Sequence, residues 1–231
     1  MAAATTLWAR IELEGRPRIG TVDGEAIRLH QGTLFAPGPA TGEIVAVADA
    51  HWLTPTEPTK MVALWNNFRA AAEKNGWAIP AEPLTFLKAP SSYAAHGEAI
   101  RVPRSYEGRV AYEGELGIVI GKACRAVSAA EAADHILGYT CVNDVTALEL
   151  LHRDPSFPQW TRAKNFDTFG VFGPVVATGS DLRPWRCAAT RMARRWCPTP
   201  TFGASPWPAR ISVRSACAWP AASPLPAARR P

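Results

Sequence analysis

The chain has 231 residues, 47% of them apolar, enough to bury a core in one medium-sized domain or two small ones. No apolar run reaches the length of a bilayer-crossing helix, so no membrane partner is expected. The formal charge of +5 is unevenly placed: nine arginines in residues 183–231 supply it, while residues 1–182 carry sixteen basic side chains against twenty acidic ones, so no nucleic-acid partner is expected outside that tail.

In chain order, the opening MAAATTLWARIELEG lacks a charged segment followed by an apolar one, so no signal peptide is read and the cytoplasm is the expected location. LWARIELEG and RPRIGTVDGEAIRL, within residues 7–30, alternate apolar and polar residues and predict short strands. Residues 31–59, rich in Pro, Gly and Thr, predict loops. Lys60 to Asn75 has helical spacing through Met61, Leu64, Phe68 and Ala72, with Gly76 to end it. Pro80, Pro83 and Pro90 then punctuate an extended stretch containing LTFLK.

Arg109 to Lys122 (RVAYEGELGIVIGK) is the clearest predicted strand. Leu116, Ile118 and Ile120 share one face, expected to be core, and Glu113, Glu115 and Gly117 share the other. Ser128 and Glu131 form a capping-box pattern before a short helix that Gly138 would stop. Tyr139 to Asn143 predicts a second strand, Asp144 a helix start running through Leu151, and Phe169 to Thr178 a further strand. Five cysteines (Cys124, Cys141, Cys187, Cys197 and Cys217) match no zinc spacing and are expected as free thiols.

Residues 183–231 differ in kind. They hold nine Arg, nine Pro and four Trp, but no Asp, Glu or Lys. Proline blocks helix and strand alike, yet so many tryptophans do not suit a solvated tail. The composition is that of a G- and C-rich coding stretch read out of frame, and a frameshifted remnant is the hypothesis. Resequencing the gene checks it; a clean frame shared with intact relatives would sink it.

Each candidate site residue has an ordinary reading beside a chemical one. Glu113 and Glu115, at i and i+2 on a strand, sit about 7 Å apart on one face. They are either a polar face meeting water or a pair that needs a cation between them. Asp144 reads as a helix N-cap or a ligand, Lys164 as a surface lysine or a site cation, and His96 as a loop histidine or a base.

The segments Lys88–Pro103, Val110–Lys122, Gly138–Ala147 and Gln159–Gly179, with E-x-E, G-Y-x-x-x-N-D and K-x-F-D-T-F, resemble in order and spacing the fumarylacetoacetate hydrolase superfamily. The likeness is to its 2-hydroxyhepta-2,4-diene-1,7-dioate isomerase and acylpyruvate hydrolase members. It implies an α+β fold, mainly β, with a rolled mixed sheet and short helices, and a homodimer as the expected assembly. It further implies Mg²⁺ (or Mn²⁺) bound by Glu113, Glu115 and Asp144, with Lys164 adding positive charge beside a developing oxyanion. The implied activity is on a 2-oxo acid or β-diketone through a metal-stabilised enolate, by C–C hydrolysis, decarboxylation or isomerisation.

The sequence also departs from that pattern. Leu148 and Leu151 replace the Arg and Gln of N-D-x-x-A-R-D-x-Q. The lid pattern N-Y-x-x-H-x-x-E is matched only by Asn67 to Lys74, with Ala71 at the His position and Glu73 one residue early. Glu73 and His96 are therefore the candidate substitute bases. No T-G-T-P-type loop follows Gly179. The expected organisation is a small N-terminal region (1–80), an incomplete catalytic domain (81–182) and the aberrant tail (183–231). The alternatives to an active enzyme are an inactive truncated homologue that at most binds metal and a basic binding module working through the tail.

Overall fold

The computed structural model describes residues 5–179; the tail, with Cys187, Cys197, Cys217 and the frameshift hypothesis, lies outside the described residues. Strands β1 (Thr6–Leu13), β2 (Arg16–Asp23) and β3 (Ala26–Thr33) form the predicted antiparallel meander. Ala9 and Ile11 on β1 and Ile27 and Leu29 on β3 turn inward and are fully buried, with Leu13, Val22, Val45 and Trp52 packed around them. Residues 31–59 are not mainly loop. They contain β4 (Ala36–Ala46) and the short β5 (His51–Trp52). Among the described residues β4 pairs only with β3, and it slips register twice. Pro37 and Pro39 are tolerated there because an edge strand bonds along one side only.

The expected single helix over residues 60–75 is instead β6 (Met61–Trp65) followed by α1 (Arg69–Asn75). β6 pairs along its full length with β7 (Leu84–Lys88), and that ladder outweighs the helical spacing of Met61 and Leu64. Gly76 does end α1, in the left-handed conformation with φ of 67°. β8 (Tyr93–Ala94) and β9 (Val110–Ala111) are short, and β10 is Gly114–Ile120, so the predicted strand at 109–122 breaks at Tyr112-Glu113. The alternation along β10 holds, but the core assignment reverses. Leu116, Ile118 and Ile120 are exposed among the described residues, while Glu115, Gly117 and Val119 are half-buried. Pairing with β11 turns the glutamate face inward, toward the polar cluster described below.

Ser128 and Glu131 do close a reciprocal cap: the Ser128 N–H and Oγ–H donate to Glu131 Oε2 at 2.9 and 2.7 Å, and the Glu131 N–H donates back to Ser128 Oγ at 3.3 Å. The helix that follows is only a 3₁₀ turn, Ala132–His135. Gly138 stops no helix. It lies inside β11 (Ile136–Asp144), where a Cβ would collide with the Ala177 carbonyl of the neighbouring strand. Asp144 ends β11 rather than capping a helix, and β12 (Thr146–Ala147) and α2 (Leu148–Leu151) follow it. The remaining elements are α3 (Trp160–Lys164), β13 (Gly170–Phe172) and β14 (Val175–Thr178).

The strand order β4-β3-β2-β1-β14-β11-β13-β8 makes one continuous sheet, with β10 also on β11 and β5 on β1. All its pairs are antiparallel except β8 with β13. A mainly β, mixed-sheet fold with short helices is therefore correct. No helix among the described residues is long and apolar enough to cross a membrane. A second core of Tyr106, Val145, Ala147, Leu150, Leu151, Ala163 and Phe169 lies beneath the end of β11.

Candidate active site

Two backbone contacts join the break before β10 to the end of β11. The Glu113 N–H donates to Asn143 Oδ1 at 3.1 Å, and the Asp144 N–H donates to the Glu113 carbonyl at 3.0 Å. Asp144 is thereby drawn inward and is 5% exposed. Lys164, the last residue of α3, is 2% exposed. Its ammonium donates to Glu113 Oε2 at 2.9 Å and to Asp144 Oδ2 at 2.5 Å. It also lies over the rings of Phe86 and Trp160, 5.0 and 5.7 Å from their centroids. Those two rings stack at 5.2 Å, and Trp65 packs on Trp160 at 5.9 Å. An aromatic wall from β6, β7 and α3 thus holds the cation in place.

A second lysine reaches the same carboxylate. Lys88 Nζ lies 2.7 Å from Asp144 Oδ1 and donates to the Phe169 carbonyl at 2.9 Å. The contact with Oδ1 is ionic rather than an aligned hydrogen bond, for Oδ1 has no such donor. Burial pushes the Lys88 ammonium pKa down and the Asp144 charge pulls it back up. Glu115 stands half-buried beside this group. Burial first, then the charges of Glu113 and Asp144, push its carboxyl up to about 7, while Lys164 opposes the shift. Three carboxylates and two ammonium groups therefore share one largely buried cluster.

Lys88 was not singled out in the sequence, where a lysine ending LTFLK looks like a strand's exit into water. Its one signal is the alternation that places Lys88 on the same strand face as the half-buried Phe86. A neighbouring clasp also went unseen. The Tyr106 hydroxyl bonds Glu149, and the Arg109 N–H and Nε–H donate to the same carboxylate at 2.7 and 2.8 Å. Arg109 and Tyr106 hold the Glu149 carboxyl down at about 2, and burial with the Glu149 contact lifts the Tyr106 phenol to about 12. Glu73 is exposed on α1. His96 packs edge-on against Trp52 at 5.9 Å, and burial lowers its pKa. Neither makes a hydrogen bond or ion pair with the cluster among the described residues.

The donor chemistry fits a hard divalent cation: the acidic side chains Glu113, Glu115 and Asp144 offer carboxylate oxygens only, and Asp144 Oδ1 is buried with no aligned hydrogen-bond donor. Among the described residues no three such groups stand in a closed ligand arrangement. The Lys164 ammonium instead bridges Glu113 and Asp144.

Residues 7–55 match the "Rv2993c-like, N-terminal" family. An uncharacterized protein of Archaeoglobus fulgidus is 40% identical over 157 residues, 67% of this chain and 61% of that protein. The chain thus spans about three fifths of that relative's length. Oxaloacetate tautomerase YisK of Bacillus subtilis is 33% identical over 58% of this chain and 44% of its own. The crystal structure of 2-hydroxyhepta-2,4-diene-1,7-dioate isomerase from Mycobacterium marinum superposes with a TM-score of 0.65 at 35% identity, covering 77% of this chain and 68% of that one. Residues 60–196 match the "Fumarylacetoacetate (FAA) hydrolase C-terminal" model, and over that span the chain belongs to the fumarylacetoacetate hydrolase family.

Proposed function

We propose that the chain is a divalent-metal-dependent enzyme acting on a small 2-oxo acid or β-diketone, with Glu113, Glu115 and Asp144 binding Mg²⁺ (or Mn²⁺). The observation that carries this reading is the convergence of Lys164 on Glu113 and Asp144 at 2.9 and 2.5 Å, with Glu115 beside them. When bound, the cation supplies Lewis-acid stabilisation of an enolate oxygen. Lys164 places a buried positive charge where negative charge develops, and the low-dielectric aromatic wall strengthens its effect. Thr146 steadies Glu113 by donating to Oε1 at 3.4 Å. Of the two candidate bases, His96 suits proton abstraction better, because burial keeps its imidazole neutral and able to accept a proton. Glu73 is the second candidate. The relatives include a tautomerase and an isomerase, and enolate formation is the step that those reactions share with C–C hydrolysis and decarboxylation. A homodimer is proposed on the family resemblance.

The test is a thermal melt of the full chain with and without Mg²⁺, and with added oxalate as an enolate mimic. A ligand that binds only the folded state raises the midpoint. We expect a rise with Mg²⁺ that grows with oxalate and disappears in Glu115→Ala. A flat response sinks the metal reading. The second reading is an inactive homologue. It is favoured by the lack of a T-G-T-P-type sequence in residues 180–231. A chain that binds Mg²⁺ and oxalate yet turns over no 2-oxo acid, including oxaloacetate, would establish it.

A further inference from the structure

Lys88 is a cation for which the proposed chemistry has no use. It ends β7 with 1% of its surface exposed. Burying an ammonium is costly unless it is paired and hydrogen-bonded. Its contacts define a closed triangle around one residue. The Phe169 carbonyl that accepts from Lys88 Nζ also accepts from the Val145 N–H at 3.0 Å, and Val145 follows Asp144 directly. Lys88 is therefore located by the backbone next to Asp144 while it touches the side chain of Asp144 at Oδ1. The other oxygen, Oδ2, is the one turned toward Lys164, which in turn holds Glu113.

We propose that Lys88 is a positioning residue of the site: it engages Asp144 Oδ1 and so presents Oδ2 toward Glu113 and Lys164, where cation and substrate oxygen would be handled. This inference rests on the divalent-cation reading above. Lys88 acts through Asp144, in the way that outer partners of metal ligands orient the ligands themselves.

The experiment is a Mn²⁺ titration of the full chain followed by electron paramagnetic resonance, with a thermal melt of each variant run alongside. Outer-partner losses typically weaken metal affinity by about 10- to 100-fold. Lys88→Met, where it still melts cooperatively, should bind Mn²⁺ at least about tenfold more weakly than the parent chain, and Lys88→Arg should recover most of that loss. A purely structural lysine would lower the melting midpoint and leave the Mn²⁺ affinity of the folded protein unchanged; that result overturns the proposal. If Lys88→Met does not fold, Lys88→Gln against Lys88→Arg decides. A weaker Gln variant supports the positioning role, and equal affinities refute it. A parent chain with no saturable Mn²⁺ binding removes the cation reading and this inference together, whereas a parent that binds and Lys88 variants that bind equally well remove this inference alone.

Discussion

Ile27 and Leu29 on β3 and Lys88 and Lys164 around Asp144 are equally shielded from water, but for opposite reasons. The meander buries aliphatic side chains contributed by strands that follow one another along the chain. Its stability comes from removing apolar area from water and is insensitive to the exact angle of any one group. The cluster at the end of β11 buries charges brought together from separations of 20, 51 and 56 residues. Each charge there is tolerable only while its partners stay in place. One end of the sheet is thus forgiving and locally assembled. The other is exacting, and it is the end that holds the proposed chemistry.

Substitutions sharpen that contrast. The largest loss is expected from Asp144→Ala, which leaves the buried Lys88 ammonium without a carboxylate and Lys164 with Glu113 alone: about 3–5 kcal/mol by urea denaturation. Replacing Lys88 and Asp144 together by Met and Leu should return much of it, since an apolar pair of similar volume needs no counter-charge. If the single and double variants were equally unstable, packing rather than charge would dominate there. Leu29→Ala in the meander should cost about 3 kcal/mol and leave Mn²⁺ affinity unchanged. Coupling of Leu29 to Mn²⁺ binding would erase the distinction between the two ends. Phe86→Leu keeps apolar bulk beside Lys164 but removes a ring face, so a loss of about 1 kcal/mol is expected.

The smallest effect concerns pH. The folded-state pKa of Glu149 is depressed to about 2, first by Arg109 and then by Tyr106, from an ordinary value of 4.5. A depressed carboxyl contributes stability that is complete above the unfolded value and fades as pH falls toward the folded one. Melts of the parent chain and Glu149→Gln should therefore converge between about pH 4.5 and 2. The gap at neutral pH should shrink in high salt, because the Arg109 side chain in this pair is 78% exposed. Curves that stay parallel through that window would show that the clasp carries no proton-linked stability.

Much of the fold was legible locally. The alternation of residues 7–30 gave strands, Gly76 ended α1, and the Ser128–Glu131 cap closed as its spacing implied. Misreadings came where a distant partner decided. Met61 and Leu64 had helical spacing, but β7 was available to pair with them. Pro37 and Pro39 looked like loop residues until β3 offered them an edge to occupy. In the site, Glu113, Asp144 and Lys164 were named from motif order, and the structure brings these three into contact. Glu73 and His96 were named from weaker matches, and neither has a hydrogen bond or ion pair with the cluster among the described residues. Lys88 went unnamed because its one mark, the alternation that puts it on the face of Phe86, is weak for a strand-ending lysine.

The sequence by itself determined the alternating strand pattern, the caps and turns, and the likeness to a family, because propensity, φ/ψ preference and motif spacing act over a few residues. Only the tertiary structure decided which face of β10 turns inward, where Asp144 ends its strand, and that two lysines from β7 and α3 meet one carboxylate. Burial and charge pairing are properties of partners that the chain brings together only when the sheet closes, and no short window of sequence contains both members.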